Sequence, residues 1–93
     1  MIACEAGRCT VAGPITMGNV TQVLEESAPL FAAPHVVVDL AGVTEVDSSA
    51  LSLLLEWRRQ ARGGNRRIEY VNLPANLRSL ADLYGVSDLL LGA

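Results

Sequence analysis

A chain of 93 residues that is 51% hydrophobic and 18% charged has the composition of one small packed domain and excludes a disordered chain. Its net charge of −3 argues against nucleic acid as a partner, because binding phosphate backbones draws on an excess of basic side chains. All seven basic residues are arginine, which removes a P-loop or a Schiff-base site, since each needs a lysine.

Ile2 to Ala6 and Cys9 to Ala12 alternate around Gly7-Arg8 and predict two antiparallel strands, the second ended by Gly13-Pro14. Cys4 and Cys9 flank that turn. A cross-strand disulfide is geometrically conceivable, but two cysteines without an export signal are expected as free, buried or half-buried thiols. The opening residues are too short in apolar length for a signal peptide and no run approaches a membrane span, so the chain is expected to be cytoplasmic. From Thr16, read as a cap, Met17, Val20, Val23, Leu24 and Phe31 keep helical spacing, with Glu25 and Glu26 outward. Pro29 and Pro34 close that helix.

The chain is organised around Val36 to Trp57. Val36, Val37, Val38 and Leu40 are a β-branched run that predicts a central parallel strand covered on both faces, broken by Ala41-Gly42. Asp47-Ser48-Ser49 then supplies a cap where a Leu-rich helix begins, and Gly63-Gly64 stops that helix. Ile68, Tyr70 and Val71 predict a third core strand, ended by Asn72-Leu73-Pro74. Leu77, Leu80, Ala81 and Tyr84 form the inner stripe of a further helix that Gly85 ends, and Val86 to Leu91 reads as a short edge strand or a last helical turn. The fold class is therefore α/β: one domain over residues 1–93, with a mixed sheet that opens on an antiparallel hairpin and carries about three to four helices.

At roughly 100° per residue, Leu53, Trp57, Ala50, Ala61, Leu54, Leu51 and Leu55 cover an arc of roughly 200° on the second helix, about twice what a surface helix needs. Part of that arc is expected to be left over for a partner. Trp57, at its edge, reads as core or as an interface anchor. Arg58 lies in the same arc, its stem on apolar surface and its guanidinium reaching water or a partner. Ser48, Ser52, Glu56 and Arg59 share the other face. The plain reading of Asp47-Ser48-Ser49 is a helix cap; the helix dipole would also tolerate a phosphoryl group on Ser48, against opposition from Asp47. Arg58, Arg59, Arg62, Arg66 and Arg67 fall within ten residues and read as a solvated basic end or as a patch for an acidic protein or anionic lipid. A lone His35 and two cysteines in a hairpin make a poor metal site, no cofactor motif is present, and no nucleophile and base pair stands out, so catalysis is not expected.

The stretch V-V-V-D-L-A-G-V-T-E-V-D-S-S-A-L resembles the signature of STAS domains, the fold of bacterial anti-sigma factor antagonists. In antagonists the motif is Asp-Ser-Ser/Thr-Gly-Leu and a partner kinase phosphorylates its first hydroxyl; Ser48 holds that position and Ala50 replaces the glycine. The stretches A-L-S-L-L-L-E-W and V-N-L-P-A-N-L-R-S-L-A-D-L-Y-G-V are similar to the MlaB branch, small cytoplasmic subunits of Mla phospholipid-transport ABC complexes. That resemblance implies a non-catalytic subunit bound to an MlaF-like ATPase and, through it, to the permease at the inner membrane. It implies Ser48, Ser49, Ser52, Trp57 and Arg59 as partner-binding residues, with Ser48 also the candidate phosphoacceptor. The alternatives are an anti-sigma factor antagonist switched by phosphorylation of Ser48 and a small-ligand sensor.

Overall fold

The computed structural model describes residues 1–90, which form β1 (Ile2–Glu5), β2 (Arg8–Ile15), α1 (Val20–Ser27), β3 (His35–Val46), α2 (Ser48–Gly63), β4 (Arg67–Val71), α3 (Ala75–Leu83) and α4 (Ser87–Leu90). The sheet order is β1-β2-β3-β4, with β1 antiparallel to β2 and the pairs β2–β3 and β3–β4 parallel. This is the expected mixed α/β sheet with β3 inside it. The final helical segment takes the form of a turn, α4; Leu91 lies outside the described residues. Among the described residues no helix is long and apolar enough to cross a membrane.

The strands alternate. Val36, Val38, Leu40 and Val43 of β3 are buried against the helices, as are Cys9, Val11 and Ile15 of β2. Arg8, Thr10 and Ala12 are exposed, Val37 and Asp39 are half-buried, and Arg8 pairs with Asp39 at 3.0 Å. The expectation of a strand covered on both faces is thus corrected: the helices build the core on one face, and the polar Asp39 sits on the other. Nor does Ala41-Gly42 end β3. The register to β2 shifts between Thr10 and Ala12, so the pair lies at a bulge and the strand continues to Val46. A side chain at Gly42 would stand 3.1 Å from Ala12 Cβ and 3.2 Å from Val11 O, so glycine permits the close approach. A second shift carries β2 past Gly13-Pro14 to Ile15.

The first helix starts later than Thr16. Asn19 Oδ1 accepts from Thr16 N at 2.8 Å and its Nδ2 donates to Pro14 O at 2.8 Å, which fastens a turn ahead of α1 and leaves Met17 exposed. The helix stops at Ser27, and Phe31 reaches the core from the turn that follows.

Cys4 lies directly opposite Cys9 in the hairpin and the two form a disulfide, which corrects the expectation of free thiols. Direct cross-strand partners point to the same face, so antiparallel register alone brings the sulfurs together.

The wide apolar arc of α2 is used within the domain. Ala50, Leu51, Leu53, Leu54, Trp57 and Ala61 are all buried, because α2 packs on the sheet and is flanked by α1, α3 and α4. Only Leu55 of that arc is half-exposed, so little is left over. Trp57 is 1% exposed and is core, not an anchor. Its ring lies 4.9 Å from that of Phe31, and its Nε1–H donates to Ser27 Oγ at 2.7 Å. Ser27 Oγ in turn donates to Leu24 O at 2.7 Å. Tyr84, expected on the inner stripe of α3, is 58% exposed; Leu77 and Ala81 fill the core there.

Ser27→Ala orphans a buried indole N–H and should lower stability by about 1–3 kcal/mol in urea unfolding; no change would show that Trp57 is held by packing alone. The disulfide closes so short a loop that its reduction should cost only about 2 kcal/mol. Unfolding with and without dithiothreitol measures this, and an unchanged midpoint with two alkylatable thiols in the native protein would refute the pairing.

Candidate functional site

The site is built where β3 hands the chain to α2. Asp47, extended at φ −131°, is the N-cap: its Oδ1 accepts from Ser49 N at 2.8 Å, and its Oδ2 accepts from Met17 N at 3.0 Å. One carboxylate thereby satisfies a helix-end donor and ties the β2–α1 turn to the start of α2. Those bonds, with that from Met17 the largest, hold its carboxyl below the usual carboxylate range.

With the cap made by Asp47, Ser48 is left exposed, and among the described residues its hydroxyl makes no hydrogen bond. Ser49 is half-buried. Ser52 is exposed one turn on, its Oγ 3.5 Å from Ser48 O. Ser48 and Ser52 line one side of a groove of about 260 Å³, floored by Leu51 and Leu55 and closed opposite by Tyr84 and Val86. Asn76 Nδ2 donates to Thr44 O at 2.8 Å and so pins the start of α3 to the end of β3. Gly85, at φ +70°, turns the chain after α3 and leaves Tyr84 on the outside.

The structure therefore brings Ser48 and Ser52 together at one apolar groove, with Ser49 in the capped turn between them. It separates them from Trp57, which is buried, and from Arg59, which lies further along α2. Arg59 meets Glu56 through two bonds of 2.8 and 2.6 Å, a pairing that lowers the Glu56 pKa and raises that of Arg59. Leu55, Tyr84 and Val86 are groove residues that sequence reasoning did not assign to the site. Among the described residues no group of three or more His, Cys, Asp or Glu could hold a metal ion. Tyr70, whose hydroxyl donates to Leu54 O, has its pKa pushed up by burial and is a fixed neutral donor.

Residues 2–92 match the family described as "Mlab, STAS domain". Among solved structures, the unphosphorylated anti-sigma factor antagonist SpoIIAA is 17% identical with a TM-score of 0.76, over 100% of this chain and 86% of that one. Two structures of a protein called Mglu are also similar. One is 25% identical, TM-score 0.64, over 83% of this chain; the other, in its native form, is 23% identical, TM-score 0.55, over 74%. The match takes in only 20% and 22% of those longer chains. No curated protein sequence matches this one.

Because the Asp47 pKa is lowered on folding, its contribution to stability is full at neutral pH and is lost as pH falls below about 4, through the depressed folded value. Asp47→Asn should flatten that part of the stability profile between about pH 5 and about pH 2, measured by urea midpoint; a profile parallel to wild type would exclude Asp47 as its source.

Proposed function

We propose, from the premise that this chain belongs to the STAS-domain family in its MlaB-type branch, that it is a non-catalytic subunit of an Mla-type ABC transporter. It binds the transporter's ATPase on the cytoplasmic side of the inner membrane and supports assembly or activity in phospholipid transport that maintains outer-membrane lipid asymmetry. The observation that carries this reading is the groove at the start of α2, an apolar floor rimmed by the hydroxyls of Ser48 and Ser52 and by the exposed ring of Tyr84. Such a surface combines an aromatic anchor with a polar rim. Leu55 and Tyr84 take the anchoring role that sequence reasoning offered to Trp57. Ser49 supports the turn that presents Ser48, and Arg59 with Glu56 stands further along α2 as a charged neighbour. In the reducing cytoplasm the cysteine pair would stand as a dithiol.

A second reading has a specific observation behind it: Ser48 is exposed at the first helical position, where a kinase could reach it, and among the described residues its hydroxyl makes no hydrogen bond. A phosphate there would sit beside Asp47, and repulsion between the two would act on any partner docked over the groove. Under that reading the chain is an anti-sigma factor antagonist switched by phosphorylation. Ala50, where antagonists carry glycine, is fully buried and leaves the groove unobstructed.

The test is affinity purification of the chain from its native membrane extract, with mass spectrometry of what accompanies it. An ABC ATPase with its permease is the expected recovery, and Ser48→Asp should weaken that complex tenfold or more by burying an unpaired charge. A serine kinase in place of transporter subunits, with phosphate on Ser48, would replace the transport reading by the switch. Unchanged affinity of Ser48→Asp for the ATPase would remove this groove from the interface.

A further inference from the structure

The opposite end of α2 holds a second concavity, about 470 Å³, lined by Arg58, Arg62, Arg66 and Arg67 over a floor of Ala61 and Ile68. Four guanidinium groups around one basin are unusual in a chain of net charge −3, where Coulomb attraction would place carboxylates among them. Among the described residues none of the four has a carboxylate partner; the ion pairs are those of Arg8 with Asp39 and Arg59 with Glu56. Glu69 lines the adjoining recess with His35, Arg58 and Arg67, without an ion pair to either arginine.

The cluster is partly fixed in place. Arg58 donates to Leu89 O, and Arg66 Nη2 donates to Gln60 O at 3.3 Å, while Arg66 Nε is buried with no hydrogen-bond partner. That atom packs over Gly64, 3.2 Å from where a Cβ would stand, which holds the Arg66 side chain against the helix end. The carbonyls at a helix C-terminus would ordinarily repel an anion. Here they are occupied: Gly64 N donates to Gln60 O and Ala61 O, Asn65 N to Arg62 O, and Arg66 N to Ala61 O at 2.7 Å. Arg62 and Arg67 are exposed at the rim and make no side-chain hydrogen bond among the described residues, so their donors are available to a ligand.

From this arrangement we propose that the basin is a phosphate-binding site in which Arg62 and Arg67 close on the phosphate oxygens and Arg58 and Arg66 form the fixed wall. Guanidinium forks suit a planar pair of phosphate oxygens, and four of them in one concavity provide more donors than a solvated helix end uses. The site is remote from the Ser48 groove and does not rest on the partner reading. The phosphate could belong to a soluble ion or to an anionic lipid headgroup.

Two probes separate these sources: inorganic phosphate titrated at constant ionic strength, and sedimentation with phosphatidylglycerol–phosphatidylcholine vesicles against phosphatidylcholine alone. Arg62→Ala/Arg67→Ala removes two exposed side chains without internal bonds, and Arg78→Ala, on α3, is the control. The expected result is binding to at least one probe, weakened about tenfold or more in the double variant and unchanged in the control. Phosphate binding identifies a soluble anion site, and binding to phosphatidylglycerol vesicles alone identifies a headgroup site. Binding to neither probe, or binding that survives the double substitution, overturns the proposal.

Discussion

The hydrogen bond from the Trp57 indole to Ser27 fixes where α2 can lie, and the rest of the molecule is placed relative to α2. It joins the middle of α2 to the last turn of α1, with the Phe31 ring tilted 60° against the indole and Ser27 itself bonded back to Leu24. On the other side, the buried Tyr70 hydroxyl reaches the Leu54 carbonyl and fixes α2 against β4. A helix held from both flanks has little freedom to roll or slide over the sheet. Its two ends are consequently presented at set positions: the capped start beside α3 and α4, and the arginine-rich finish beside the first residues of β4.

That arrangement explains which parts of the fold were legible in the sequence. Asp47-Ser48-Ser49 and, at the far end, Gly63-Gly64 marked the two ends of α2, because capping chemistry is local and needs no knowledge of the tertiary contacts. The order of elements and the parallel inner strands followed from alternating strand and helix periods for the same reason. Several of the missed features were consequences of neighbours. Ala41-Gly42 looked like a break, but glycine in a strand is equally what a bulge requires, and only the partner strand decides between them. Val37 looked like core because β-branched runs do not reveal whether one face or two will be covered. The apolar arc of α2 looked surplus because periodicity counts faces without counting the helices that fill them.

The site was legible in the same uneven way. Ser48 and Ser52 could be placed by their spacing and the motif, and the structure sets both on one groove. Tyr84 could not, since its spacing continues the stripe of Leu77 and Ala81, whereas α3 ends at Leu83 and leaves the ring exposed. The groove and the arginine basin lie at opposite ends of one helix and differ in chemistry: one is apolar with neutral hydroxyls, the other cationic. A protein surface and a phosphate could occupy them at the same time without competing, and no movement of α2 is needed for either.

The helices occupy one face of a four-stranded sheet that does not close on itself, so among the described residues β1 and β4 each present an edge with no further strand. Edges of this kind invite another strand to add on, and a small domain at high local concentration would be exposed to chain-to-chain zippering. The geometry limits that at both sides. β1 is only four residues long and its Ile2 N–H already donates to Glu26 Oε2 at 2.9 Å, which leaves few backbone groups for a newcomer to copy. β4 carries the exposed charges of Arg67 and Glu69, which an approaching strand would have to strip of water. The brevity of β1 and the charges of β4 thus limit self-association whether the two cysteines are joined or stand as a dithiol.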